Sequence, residues 1–323
     1  MVKSMLSVVV PTFNSETRIS EIVENICRNI SVDFEVIIVD DCSTDSTKDI
    51  IFDLSQRYEN IRCIYLDKNS GPGIARDIAF KTVDSEFVLF FDDDDFLYGE
   101  NIEEILQKMN IYQLDVAVMA YEYADSLESD GQGTMLSGDE ARFSSILRCD
   151  QASIIQPSVF PSILSIVNFP WNKICRTDYL RKIGAVFGVL RLHEDVPIHW
   201  NILCNTDYVY LTRRLIGRHV VDQGVRNATR QIHTSRMQVL DALQAAYDYV
   251  NRSVNRKEFI VEFYRFQVDL IRWASDYVPS NDKVIYSQKA SALFKDISIS
   301  DLNMVFHKNR NLYHSINHYI KNH

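Results

Sequence analysis

Four consecutive aspartates, Asp92 to Asp95, directly follow an apolar run at residues 88–91. Neighbouring carboxylates repel one another, and a purely structural role does not require them to be adjacent. A divalent cation offsets this repulsion, and oxygen-only ligands suit Mg²⁺ or Mn²⁺. The alternative is that Asp95 caps a helix while its neighbours face solvent. We interpret the run as a predicted cation site.

A second acidic pair, Glu194-Asp195, lies much further along the chain and precedes an apolar segment. Acidic side chains at the start of a helix stabilise it by up to about 1 kcal/mol. A carboxylate held near a reacting hydroxyl acts instead as a general base. From the pair alone, helix capping is the preferred interpretation.

The first hundred residues contain the elements that must position the aspartate run. Residues 6–10, 34–39, 61–66 and 86–91 are nearly continuous apolar runs, which are typical of buried parallel strands. Helical patterns lie between them. The resulting β-α-β-α-β-α-β order predicts an open, doubly wound α/β sheet. Because ligands of such sheets bind at the carboxyl ends of the strands, the polar residues after each run are candidate site residues.

Those polar strand ends resemble family 2 of the glycosyltransferases, which are inverting enzymes with the GT-A fold. The four blocks are, in chain order, Val9-Val10-Pro11-Thr12-Phe13-Asn14, Val39-Asp40-Asp41-Cys42-Ser43-Thr44-Asp45, Asn69-Ser70-Gly71-Pro72-Gly73-Ile74-Ala75-Arg76 and Phe91-Asp92-Asp93-Asp94-Asp95. One block alone is weak, but four in the right order are strong. The resemblance covers about residues 5–215, and bacterial members often build capsule, lipopolysaccharide or other surface glycans.

The resemblance implies a nucleotide pocket and a metal site at the strand ends. The nucleotide-binding residues would be Pro11, Thr12, Asn14, Asp41, Arg76, Asp92 and Asp93. Asp41 would accept a hydrogen bond from a uracil-type imide N–H, because an ionised carboxylate offers only acceptors. Asp94 would be the direct ligand of Mn²⁺ or Mg²⁺, and Asp95 would only begin the next helix.

The resemblance extends to the second acidic pair, since a Trp-Asn-Lys block at residues 171–173 precedes it as in the family. Catalysis is then preferred to capping, with Asp195 as the general base and Glu194 orienting the acceptor or the base. Trp171 would stack under a sugar and Lys173 would contact a phosphate, with core packing as the open alternative for both. Arg213 and Arg214 would lie near the diphosphate.

A helical period returns near residue 234 and predicts an all-helical C-terminal subdomain. We place a GT-A domain at residues 1–230, with a nucleotide-binding half at 1–120 and an acceptor half at 121–230, and the helical subdomain at 231–323. Residues 201–323 carry 17 Lys and Arg against 11 Asp and Glu, a charge of +6. Because the whole chain has a net charge of −10, residues 1–200 carry −16. The acidic front argues against nucleic-acid binding. The basic rear predicts peripheral contact with a membrane or a partner enzyme, unless it is simply a solvated surface.

We therefore expect a metal-dependent, hexosyl- or N-acetylhexosaminyl-type glycosyltransferase with a nucleotide-sugar donor. The donor would be UDP-linked, because Asp41 would accept the imide N–H of uracil. Its acceptor would be a glycan or a lipid-diphosphate-linked hydroxyl in surface-polysaccharide synthesis. A sugar-phosphate nucleotidyltransferase would require a Gly-rich basic loop after the first strand, and a non-catalytic subunit of a glycan-assembly complex would be expected to lose the acids. A dinucleotide-dependent dehydrogenase is excluded because no GxGxxG follows the first strand.

Two further sequence features predict where the protein works. Six scattered cysteines without metal-ligand spacing are typical of reduced thiols in a cytosolic protein. No run of about 18 apolar residues is present, which excludes a membrane-spanning helix. The expected location is cytoplasmic, with peripheral contact to the inner face of the membrane through the C-terminal helices.

Overall fold

The computed structural model describes residues 4–124, 134–220 and 232–321. Its first half is built on four parallel strands, β1 (Leu6–Thr12), β2 (Phe34–Asp40), β3 (Ile61–Tyr65) and β4 (Phe87–Phe90), in the spatial order β3-β2-β1-β4. These are the four strands that the apolar runs predict. Their continuous hydrophobicity follows from burial on both faces, since every residue of β1 and β4 is buried.

Three helices connect these strands: α1 (Ile19–Asn29), α2 (Thr47–Arg57) and α3 (Pro72–Phe80). In α1, the buried apolar residues recur at helical spacing and face the sheet. Helix α3 begins with Pro72, whose fixed φ suits the first helical turn. The crossovers bring all four carboxyl ends of the parallel strands to one edge of the sheet, as the doubly wound fold requires.

The second half extends the same sheet. Its strands are β5 (Phe96–Leu97), β6 (Val116–Ala124), β7 (Ala152–Ile155), β8 (Lys173–Arg176) and β9 (Val209–Val220). The order continues from β4 through β8, β6 and β9 to β5, and β7 pairs with β9. Strand β8 is antiparallel to both β4 and β6, whereas β6 and β9 are parallel. Helices α4 (Ile102–Ile111), α5 (Ser137–Leu147), α6 (Thr177–Lys182) and α7 (Asp195–Asn205) accompany these strands.

The C-terminal part is helical, as predicted. It comprises α8 (Gln238–Arg252), α9 (Arg256–Ser275), α10 (Lys283–Ala292), α11 (Ile299–Lys308) and α12 (Arg310–Lys321). Helix α7 packs against α8, and the Trp200 ring of α7 meets Phe263 of α9 at a centroid distance of 5.1 Å. The helices therefore share the hydrophobic core of the sheet domain. The predicted boundary between residues 230 and 231 lies outside the described residues and stays a prediction.

Two sequence predictions about the whole chain concern thiols and membranes. All six cysteines are free thiols in the structure, in agreement with the prediction of reduced cysteines. Among the helices of the described residues, none has the length and apolarity needed to cross a bilayer.

Candidate active site

A cavity of about 1050 Å³ lies at the carboxyl ends of the parallel strands. The strand ends, the segment before α7 and the C-terminal helices all contribute to its lining. The helical contribution was not expected from the sequence and consists of Arg236, Phe266, Leu270, Trp273 and Tyr277. The predicted residues that line the cavity are Pro11, Thr12, Asp41, Arg76, Asp92, Asp93, Asp94, Glu194 and Asp195. The structure therefore brings both acidic blocks of the sequence to one cavity.

Asp41 organises the loop that leads from β3 into α3. Its two carboxylate oxygens accept the backbone N–H groups of Ser70, at 2.6 Å, and Gly71, at 2.7 Å. Gly71 has a φ of +93°, a conformation that glycine adopts without steric cost. Each carboxylate oxygen has a second lone pair, so Asp41 keeps acceptor capacity toward the cavity. Recognition of a base imide by Asp41 stays a prediction.

The end of β1 contributes Thr12 to the cavity but not Asn14. The Thr12 hydroxyl donates a hydrogen bond to Asp93 at 2.6 Å, and the Ser15 hydroxyl donates to the same carboxylate. Asn14 is exposed and does not line the cavity. Its side-chain oxygen accepts the Thr44 N–H at 2.8 Å, which ties two strand-end loops together. The nucleotide contact predicted for Asn14 stays a prediction.

Arg76 joins the two acidic blocks. Its buried guanidinium donates to Asp92 and, at 2.9 Å, to Glu194, and it lies 5.0 Å from the centre of the Phe187 ring. A buried arginine between two carboxylates neutralises part of their charge, and removing one partner of such a pair is strongly destabilising. Arg76 therefore fixes the position of Glu194, and with it Asp195, relative to the aspartate run.

Three of the four aspartates form a candidate metal centre. Ligand oxygens of Asp92, Asp94 and Asp95 lie within 4.8 Å of one another. Burial and the neighbouring charges of Asp95, Asp93 and Asp92 raise the pKa of Asp94 well above its ordinary value. A divalent cation would relieve this repulsion, and the donor set contains only hard oxygen ligands. The residues thus fit Mg²⁺ or Mn²⁺.

Asp95 is a buried acceptor rather than the start of a helix. It accepts hydrogen bonds from Trp171 Nε1 at 2.7 Å, from His219 Nδ1 at 2.8 Å and from the Val220 N–H at 3.2 Å. The short strand β5 follows it, not a helix. The expectation that Asp95 only begins the next helix is therefore wrong, since its carboxylate belongs to the acidic centre.

His219 is a cavity residue that sequence reasoning missed. Although burial acts in the opposite direction, the adjacent Asp95 carboxylate raises the pKa of His219. An imidazolium at this point partly offsets the acidic cluster. No motif or spacing in the sequence marks this histidine, because its place beside Asp95 depends on the pairing of β9 with β5 and β6.

Trp171 and Lys173 have structural roles. Trp171 is fully buried, stacks on Phe169 at a centroid distance of 4.8 Å and holds Asp95, so it offers no face to a sugar. Lys173 Nζ donates to the Phe169 carbonyl at 2.9 Å and to Asn172, away from the cavity lining. Burial lowers the Lys173 pKa to about 7. Of the two alternatives, core packing is therefore the one that the structure supports, and Phe169, on which Trp171 stacks, lines the cavity.

Arg213 and Arg214 lie within β9 rather than after a strand. Arg213 pairs with Glu140 at 2.7 Å, and Arg214 pairs with Glu104 at 3.0 Å. Neither lines the cavity, and their contact with a diphosphate stays a prediction.

Asp195 has the electrostatic setting of a base. It is the first residue of α7, and Glu194 precedes that helix without making a side-chain cap hydrogen bond. Burial, and then the adjacent Glu194 charge, raise the pKa of Asp195 to about 7. A carboxyl group with a pKa near neutrality transfers protons efficiently at the working pH of most enzymes. The simple capping interpretation of Glu194 is thus not what the structure shows.

The sheet is mostly parallel and doubly wound, with an acidic centre at its strand ends. It continues through β8, β6 and β9 and is covered by helices. This is the GT-A architecture of nucleotide-sugar-dependent glycosyltransferases. Residues 7–148 match the family described as Glycosyl transferase family 2.

One relative of this chain is a poly(ribitol-phosphate) β-N-acetylglucosaminyltransferase, TarS, from Staphylococcus aureus. It is 37% identical over 119 residues, which are 35% of this chain and 20% of that protein. The matched stretch thus covers about a fifth of that relative's length. A crystal structure of TarS residues 1–349 with UDP-GlcNAc superposes with a TM-score of 0.79 at 20% identity, over 97% of this chain and 87% of that one.

A second solved structure shares the fold at greater distance. The mannosyltransferase PcManGT from Pyrobaculum calidifontis, in complex with GDP-Man and Mn²⁺, superposes with a TM-score of 0.58 at 13% identity, over 99% of this chain and 85% of that one. At such identities the likeness establishes the fold alone.

Proposed function

We propose that this chain is an inverting glycosyltransferase that moves a sugar from a UDP-linked donor to a hydroxyl of a glycan or lipid-linked acceptor. The main support is that one cavity contains both the aspartate centre and Asp195. Arg76 connects the two, because it donates hydrogen bonds to Asp92 and to Glu194, the neighbour of Asp195. The proposed role in cell-surface polysaccharide synthesis is supported by TarS, whose name gives poly(ribitol-phosphate) as the polymer on which it acts.

The donor would occupy the end of the cavity formed by the first three strand ends. Pro11, Thr12 and Asp41 line this end, beside the β3–α3 loop that Asp41 holds. Thr12 also fixes the rotamer of Asp93 through its hydroxyl, which orients that carboxylate for a ribose hydroxyl. The UDP preference rests on Asp41, which would accept the imide N–H of uracil.

Transfer would be a single displacement. Asp195 takes the proton of the acceptor hydroxyl as that oxygen forms a bond to the anomeric carbon, and the bond from that carbon to the diphosphate oxygen breaks with inversion. Glu194 and Arg76 hold Asp195 at a fixed place relative to the donor carboxylates. A divalent ion held by Asp92, Asp94 and Asp95 would supply positive charge for the departing diphosphate.

A thermal-shift panel of nucleotide-sugars with Mn²⁺, Mg²⁺ or a chelator tests this function. We expect UDP-sugars to raise the melting temperature, and more with metal than with chelator, because ligands that bind only the folded state stabilise it. Hydrolysis of the stabilising donor should follow the same metal dependence. If no nucleotide-sugar stabilised the protein in any metal condition, the catalytic assignment would be overturned.

We also propose, from the basic helical region, that α10 contacts an anionic membrane face. Val284 and Ile285 are exposed there beside the exposed Lys283 and Lys289, a combination suited to an anionic lipid surface. The full chain should float with phosphatidylglycerol vesicles, and Val284→Asp with Ile285→Asp should float less. Val254→Asp, at an apolar residue exposed elsewhere, is the control. Equal flotation of all forms would contradict the contact, and the cytoplasmic location stays a prediction.

A further inference from the structure

The acidic pair of the active site enters the cavity from a loop between α6 and α7. This catalytic loop, residues 183–194, contains His193 next to its last residue, and the His193 φ of +65° lies in the left-handed region. A non-glycine residue in this region is strained, and the conformation persists only where surrounding contacts hold it. The turn at His193 immediately precedes Glu194 and Asp195, so the contacts that hold it also determine where both carboxylates point.

The sheet domain holds the beginning and middle of the catalytic loop. Asp77 of α3 accepts the N–H groups of Phe187, at 2.8 Å, and Gly188, at 2.9 Å. The Arg191 guanidinium donates to the Asn69 side chain and, at 2.8 Å, to the Asn69 carbonyl. These contacts come from the nucleotide-binding half and stop before the strained turn.

The helical segment holds the end of the loop. The side-chain oxygen of Gln238, the first residue of α8, accepts the N–H of Arg191 at 2.9 Å and that of Leu192 at 3.1 Å. The next residue, His193, has its Nε2 3.3 Å from Arg236 Nη1. Arginine can only donate, so His193 accepts there as a neutral imidazole. Three consecutive loop residues are thus tied to two residues at the start of the helical segment.

We propose that Gln238 is a positioning residue for the general base, because it fixes the turn that aims Asp195 into the cavity. This inference rests on the proposed function. It assigns the C-terminal helices a part in the chemistry, through a side chain that does not line the cavity. Such a residue acts on the rate rather than on donor binding, since the donor site is built from the strand ends.

The expected effect is large for a residue outside the cavity. Displacement of a catalytic group by about 1 Å can reduce a rate by about 10²-fold. In Gln238→Leu, which has a similar size but no acceptor, we expect at least a tenfold lower kcat for Mn²⁺-dependent UDP-GlcNAc hydrolysis, with water as acceptor. The KM for UDP-GlcNAc should change less than twofold. Gln238→Glu, which restores an acceptor oxygen, should recover most of the rate.

The matched control is Gln244→Leu on the same helix. Gln244 is exposed, and its amide donates only to Asp248 within α8 among the described residues. This variant should keep the kcat and KM of the unmodified chain. Thermal unfolding of all variants establishes that they are folded.

Hydrogen–deuterium exchange of peptides covering residues 187–200 supplies a readout that does not depend on turnover. Exchange should accelerate in Gln238→Leu and not in Gln244→Leu, because the Arg191 and Leu192 N–H groups lose their acceptor. Unchanged exchange would overturn the proposal, and so would faster exchange with an unchanged kcat. If the unmodified chain neither bound nor hydrolysed any nucleotide-sugar, the proposed function would fail, while the exchange result would still decide whether Gln238 holds the loop.

Discussion

Replacement of Asp195 by Asn should reduce sugar transfer by about 10²–10⁴-fold, the usual contribution of a positioned general base. The amide keeps the size of the carboxyl group but cannot take a proton from the acceptor hydroxyl. Donor binding should change little, because the donor carboxylates belong to a different part of the cavity and the Arg76 contact with Glu194 remains. Single-turnover transfer and calorimetric titration of the donor measure the two quantities separately.

The pH profile gives this prediction a second test. Burial and the Glu194 charge raise the Asp195 pKa to about 7, and only the ionised form acts as a base. The rate of the unmodified chain should therefore rise with pH through about 7 and fall about tenfold per unit well below it. The residual activity of Asp195→Asn should lack this rise of the rate with pH around 7.

A matched control separates catalysis from helix stabilisation. Asp178 lies in the first turn of α6 with a side chain 90% exposed, so Asp178→Asn removes a helix-start charge outside the cavity. If Asp195 only stabilised the start of α7, both variants would lose at most about 1 kcal/mol of stability and neither would lose rate. A normal rate in Asp195→Asn would exclude the base assignment.

The parallel half of the fold was predictable because its signals are local. Strands buried on both faces must be continuously apolar, and polar residues at their carboxyl ends have few roles other than binding. The sheet and the convergence of Asp41, Arg76 and the aspartate run are therefore accessible from the sequence alone. The family resemblance added Asp195, which no periodicity connects to the strand ends.

Other site residues were not predictable because tertiary contacts decide them. The sequence left Trp171 open between a sugar contact and core packing, and it assigned Asp95 to a helix start. In the structure the indole is buried and its N–H donates to the buried Asp95 carboxylate. His219 depends on the pairing of β9 with β6 and β5, which places it beside Asp95. Gln238 is unremarkable in sequence, since its role arises only from the packing of α8 against α7.

The four aspartates also need separate assignments, which the sequence run does not distinguish. Asp93 is held by Thr12 and Ser15, Asp92 by Arg76, and Asp95 by Trp171 and His219. Within the described residues, Asp94 makes no hydrogen bond to another side chain, although it lies in the same cluster. Asp94 is thus the carboxylate whose charge depends most on an added cation.

Asp94→Asn should therefore have two opposite effects. Metal-dependent stabilisation by the donor should be lost, because an amide oxygen is a weaker ligand for a hard cation than a carboxylate. The metal-free protein, in contrast, should be more stable than the unmodified chain at pH 7. Burial and three neighbouring carboxylates raise the Asp94 pKa, so the folded state loses stability relative to the unfolded chain as the pH rises above the ordinary aspartate pKa.

The pH dependence fixes the sign of the second effect. The raised folded-state pKa of Asp94 means that this residue costs stability at neutral pH, and that the cost disappears as the pH falls toward the ordinary pKa of an aspartate in the unfolded chain. The stability gain of Asp94→Asn should thus shrink on acidification.

Urea unfolding with chelator from pH 5 to 8, and donor thermal shifts with Mn²⁺, measure the two effects. Asp53→Asn, at an exposed residue of α2, should show neither. If Asp94→Asn kept a full metal-dependent shift, or destabilised the metal-free protein at pH 7, Asp94 would not be the principal metal ligand, and the centre would rest on Asp92 and Asp95.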